Sequence, residues 1–218
     1  MAGTRYVRIL FAGCAAALTA TLSVTTAFAA TTWTIKPGGA ITAKSSTATF
    51  NDTRTGNLFT CTSLSAGGTV KTGSGLAGSH AGSISAVSFG RCTSPLGRFR
   101  EPLPDIVWTV QAAGLPWHLN LVSDDRGVVR GTISHIEIKV SFLPACSAVI
   151  DGTSGTATDG IVRFRYTNST GQLTVLTTGG NLHAYNVSGG CAGLVNNGNP
   201  VTISTTFALS PKQTITSP

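Results

Sequence analysis

Beyond residue 30, apolar and polar side chains alternate one by one along much of the chain. Ile106, Trp108, Val110 and Ala112 fall in one phase, and Trp117, Leu119 and Leu121 alternate with His118 and Asn120. Ile136, Ile138, Val140 and Phe142 oppose His135, Glu137, Lys139 and Ser141, while Val162, Phe164 and Tyr166 oppose Arg163 and Arg165. Near the end, Val201, Ile203, Thr205, Phe207 and Leu209 oppose Thr202, Ser204, Thr206 and Ala208. A period of two gives a strand one buried and one wet face, the mark of antiparallel sheet. No window sustains a helical stripe, because Gly, Thr and Ser recur too often.

Turn formers separate the runs: Asn51-Asp52, Thr55-Gly56-Asn57, Asp124-Asp125-Arg126-Gly127, Asp159-Gly160, Asn168-Ser169-Thr170-Gly171 and Asn197-Gly198-Asn199-Pro200. Strands of this length and spacing predict an all-β antiparallel sandwich or barrel-like sandwich. Ile133 is out of phase with Ile136, which predicts a bulge near Gly131–His135. Pro95, Pro102 and Pro104 forbid a central strand between residues 95 and 105, so that stretch reads as a crossover between two halves of one domain.

The first 29 residues follow another logic. Arg5 and Arg8 precede an apolar run from Ile9 to about Val24, and Ala27-Phe28-Ala29 ends it with small–x–small residues. That order predicts a secretory signal peptide over 1–29 and a single β-rich domain over 30–218. An anchor is the weaker reading, since Thr19, Thr21, Ser23, Thr25 and Thr26 dilute the run and no stop-transfer charges follow. Cys14 is no lipidation site, because most of the apolar run comes after it rather than before. No later segment is apolar enough to predict a membrane helix.

Export changes how the cysteines read. Cys61, Cys92, Cys146 and Cys191 remain beyond the leader, and four cysteines allow three pairings. Cys61–Cys92 with Cys146–Cys191 is favoured because each pair lies within one half of the chain. Each closed loop would stabilise the fold by about 3–4 kcal/mol in the chain-entropy picture. A metal site is disfavoured, as there is no Cys-x-x-Cys and no histidine at ligand spacing from a cysteine. The chain has 15 basic and 8 acidic residues, and the leader removes only Arg5 and Arg8. The mild excess is spread out, unlike the concentrated Lys and Arg of a nucleic-acid binder.

The mature start Trp33-Thr34-Ile35-Lys36-Pro37-Gly38-Gly39, the Gly82-Ser83-Ile84-Ser85 to Phe89 and Cys92 strand, and Gly114-Leu115-Pro116-Trp117 form a recurring texture. Cys146 leading to Asp151-Gly152 and the Tyr166-Thr167-Asn168-Ser169-Thr170-Gly171 turn extend it. In these features the chain resembles secreted actinobacterial β-rich proteins without an assigned role, over most of its mature length. The resemblance implies export and a β fold, and it transfers no catalytic residue.

No chemical motif stands clear. Gly73-Ser74-Gly75-Leu76-Ala77-Gly78 matches a dinucleotide fingerprint, but a strand rather than a helix is expected to follow it, so the stretch reads as a turn. Serines, His80, His118, His135, His183 and aspartates are present, yet no Gly-x-Ser-x-Gly elbow singles out a nucleophile. His118 and His135 read as polar positions on solvent faces. Glu101 and Glu137 are the only glutamates, and Asp124-Asp125 read as turn formers, so no acid–base pair is evident. The Asp151–Asp159 stretch reads as a hairpin loop rather than a calcium loop, which would need more acids. No catalytic residue, cofactor or metal is therefore expected.

Binding is the sharper expectation. Trp33 is a candidate stacking platform, although it alternates with Ile35; Trp108 and Trp117 share phase with aliphatic residues and read as core. Among Arg91, Arg98, Arg100, Arg163 and Arg165, the last two share one face. The expected function is a secreted or envelope-associated non-catalytic β protein whose partner is a cell-wall polymer or extracellular glycan. The alternative is an extracellular hydrolase whose residues meet only in three dimensions.

Overall fold

The computed structural model describes residues 31–94, 105–142, 146–189, 191 and 193–218. The leader and the proline-rich segment 95–104, with Arg98 and Arg100, lie outside the described residues. No helix occurs among the described ones, and antiparallel strands account for the fold.

The strands join end to end into eight staves. β2 (Gly39–Ser45) continues into β3 (Ala48–Asp52), and β4 (Gly56–Cys61) into β5 (Leu64–Val70). β7 (Gly82–Phe89) continues into β8 (Cys92–Ser94), and β9 (Ile106–Ala113) into β10 (Trp117–Asp125). β11 (Val128–Phe142) runs unbroken. β12 (Cys146–Asp151) leads into β13 (Gly160–Thr167), and β14 (Gln172–Leu176) into β15 (His183–Ser188). β16 (Val201–Ser210), the second unbroken stave, completes the set. Continuity follows from shared partners: β9 and β10 both pair with β11, through Ala113↔Glu137 and His118↔Ser134.

Each stave pairs with the next, and β16 returns to the first through Leu209↔Ala43 and Thr205↔Ala48. The meander therefore closes into a barrel. Sequence phase explains the burial: Ile133, Ile136, Ile138, Val162, Phe164, Ile203 and Phe207 all point into one core. Outward positions carry Thr, Ser, Lys and Arg, for example Thr49, Thr60, Arg163, Arg165, Thr174 and Thr206. That arrangement is the inverse of a membrane barrel's apolar outer band. No helix among the described residues is long and apolar enough to cross a membrane.

One end is covered by a small sheet in which β1 (Thr32–Lys36) lies between β6 (Gly73–Ala77) and β17 (Thr214–Thr216). Trp33, Ile35 and Ile215 are buried beneath it. The other end carries both expected disulfides, Cys61–Cys92 and Cys146–Cys191.

β8 pairs antiparallel with β9 on either side of segment 95–104, and the predicted crossover itself lies outside the described residues. Two sequence expectations change. Gly73–Ala77 forms strand β6, not a turn. β12 and β13 both pair with β11, so the Asp151–Asp159 stretch leaves and rejoins one stave rather than turning a hairpin. Fully buried Asp151 holds that excursion, accepting hydrogen bonds from the backbone N–H groups of Gly152, Thr158, Asp159 and Gly160.

Candidate functional site: a basic outer wall

The outer faces of β10, β11 and β13 meet on one side of the barrel. The hairpin between β10 and β11 sets their register: Arg126 and Gly127 both have positive φ, at 51° and 84°, as a two-residue primed turn requires. Ser123, Arg130, Arg165 and Thr174 then form one cross-strand row. Asn120, Thr132 and Arg163 form the next, and Ser83, His118 and Ser134 a third.

Arg130 stands directly opposite Arg165, and Arg163 lies two residues along the same strand face. All three are exposed. The ion pairs among the described residues are Arg126–Asp125 and Lys139–Glu137, so no described carboxylate lies within 4.0 Å of these three guanidinium groups. Directly opposed like charges destabilise a strand pair. The Arg163 side chain lies over the turn at Gly179, where φ is +75° and a Cβ would fall 2.6 Å from Arg163 Nε.

Beside the arginines, the barrel collects three of the chain's four histidines. The predicted bulge is at His135, where the β11–β13 register shifts and φ reaches 65°. His80, also at positive φ, reaches in from the β6–β7 connection; Asn120 Oδ1 accepts its backbone N–H at 2.9 Å. Asn120 Nδ2 donates to Thr132 Oγ1 and Ser134 Oγ, tying the scaffold together. The rings make a row: His80 and His118 centroids are 4.5 Å apart, His118 and His135 4.7 Å, both edge to face. Desolvation holds the His118 pKa below its ordinary value, and the neighbouring His135 and His80 push it the same way.

The row does not form a metal centre: among the described residues, no group of three or more His, Cys, Asp or Glu side chains is placed to hold an ion. His135 Nδ1 and Ser134 Oγ are 3.3 Å apart, but no described histidine has a carboxylate within 4.0 Å. What the wall offers chemically is positive charge, imidazole and hydroxyl donors.

Of the binding candidates, Arg163 and Arg165 are brought together here, and Arg130 joins them. Its outward phase was readable, but its place opposite Arg165 was not. Arg91 is exposed on another stave, beside Cys92. Trp33 is not a stacking platform; it is 1% exposed, with its indole against Gly78. The cap sheet needs a large apolar side chain to close the barrel, and alternation with Ile35 points Trp33 inward. Trp108 and Trp117 are core, as their phase predicts. No protein-family model, curated protein sequence or solved structure matches the chain.

Proposed function

We propose that the chain is a non-catalytic binding protein of the cell exterior or envelope, whose outer wall holds an anionic polymer such as a cell-wall polymer or acidic glycan. The observation that carries this reading is the opposed pair Arg130 and Arg165 with Arg163 beside them, exposed and with no described carboxylate in reach. An array that costs stability in the free protein is relieved when a polyanion lies across it. The surrounding Ser, Thr and Asn hydroxyls and amides suit a hydroxylated chain. Two disulfides and the basic–apolar–small leader support an oxidising compartment outside the cytoplasm. Acidification below the lowered pKa of His118 adds a charge to the same wall, so binding should strengthen as pH falls through it.

Retention of the disulfide-bonded protein on purified anionic cell-wall polymer, across a salt series, tests the reading. Wild type should be held at low salt and released as the Debye length shrinks. R130Q/R163Q/R165Q should lose retention by at least about tenfold while keeping its fold. Failure of wild type to bind, or equal binding by the triple variant, overturns it.

A further inference from the structure

The capped half of the barrel is not filled by its own side chains. Ala43, Ala66 and Val87 stand in register across three adjacent staves and supply only short groups to that wall. Ile133, Val162, Phe164 and Phe207 from other staves do not close the gap, and a cavity of ≈ 100 Å³ remains. Ala43, Ala66, Val87 and Phe89 each keep part of their surface uncovered although they pack against the core.

The polar atoms at the margin are already engaged. Tyr166 Oη donates to Gln213 O at 2.7 Å and accepts from Gln213 N at 2.9 Å. Gln213 Oε1 accepts from Gly38 N, its Nε2 donates to Pro211 O, and Thr205 Oγ1 bonds to Ser45 Oγ and Thr47 O. Water needs two to four polar partners to occupy such a space, and the groups at its margin are turned to partners in the protein. An apolar void also forfeits dispersion contacts that a guest of the right size restores.

We infer that the barrel interior is a binding site for one small, wholly apolar guest, about the size of a benzene ring and lacking any hydrogen-bonding group. The site is independent of the arginine wall, which faces the opposite way from the same sheet.

Benzene is the probe, added to the disulfide-bonded protein and followed by methyl NMR. The expected result is saturable binding, with ring-current shifts at Ile84, Leu119 and Ile133, and Tm raised on the order of 3 °C at about ten times Kd. Ala66→Leu fills the space and should weaken benzene binding at least tenfold, with Tm unchanged or higher. Should Ala66→Leu fail to fold, Ala43→Val makes the same test with a smaller group. Phenol should bind at least tenfold more weakly than benzene. The inference falls if benzene produces no saturable shifts, if a filled variant that folds binds it as well as wild type, or if phenol binds equally. Retention of the filled variant on anionic polymer reports separately on the wall, so the two readings fail independently.

Discussion

The two ends of the barrel are closed by different means. At the capped end β10 and β11 share seven register pairs from His118↔Ser134 to Asp125↔Val128, and β2 and β5 pair along their whole length. There the closure is noncovalent, with Trp33, Ile35 and Ile215 under the small sheet and Tyr166 locked to both backbone groups of Gln213. At the opposite end β4 and β8 share only Thr60↔Thr93 and Cys61↔Cys92, and β15 reaches the last stave through the single bridge His183↔Pro200. Both disulfides are at this end. Buried Asp52 reinforces it, accepting from Arg54 N, Thr55 N and Asn199 Nδ2. The covalent links stand beside the two thinnest junctions of the ring, the two-pair β4–β8 ladder and the single bridge beyond β15.

The largest effect expected from this contrast comes from reduction. The bridges close sequence separations of 31 and 45 residues, so each contributes about 4 kcal/mol in the chain-entropy picture. Cys146→Ala with Cys191→Ala should lower the denaturation midpoint accordingly. Hydrogen exchange should rise first around β12 and β15, while β10 and β11 stay protected. Uniform loss of protection would erase the distinction between the ends.

Tyr166→Phe probes the noncovalent end. It strands a buried N–H and C=O of Gln213 and should cost about 1–3 kcal/mol. The exchange pattern should be the reverse of the cysteine variant, with β1 and β17 opening first. Burial also pushes the Tyr166 phenol pKa up, so its ultraviolet titration should fall above the usual tyrosine range and end with unfolding.

The smallest effect concerns His118 on the side wall. Its folded pKa lies below the ordinary 6.5, so the unfolded chain takes up this proton more readily. Its contribution to stability is therefore full above pH 6.5 and is lost as pH falls through the folded value. NMR titration should show the low midpoint, and H80Q/H135Q should raise it by removing two neighbouring charges. A midpoint unmoved by that double variant would mean desolvation acts alone.

The sequence discloses these regions unequally. Ile136–Phe142, Val162–Tyr166 and Val201–Leu209 alternate large apolar with polar residues, and their burial follows that phase. β5 and β6, rich in Gly, Ser, Thr and Ala, carry little contrast between faces, so these strands, and the cavity that β5 borders, are invisible to periodicity. Both cysteine pairs were readable from proximity in the chain. The basic wall was readable only in part: Arg163 and Arg165 share a face by phase, but Arg130 and the three histidines join them through register. Register depends on how β10, β11 and β13 align, and the His135 bulge shifts that alignment. Asp151 resembled a loop acid because the sequence does not show that four amides converge on it.

The pairing of β1 with β17 places Thr34 against Thr216 and Ile35 against Ile215. Ring closure likewise joins Thr205 to Ser45, 160 positions earlier. β1 can pair with β6 early, but its other edge and the barrel seam are completed only when β16 and β17, far along the chain, are present. Contacts this distant in sequence make for slow assembly, in the millisecond-to-second regime of non-local β topologies. The indole of Trp33, buried beneath the small sheet, reports through its fluorescence on the docking of that cap.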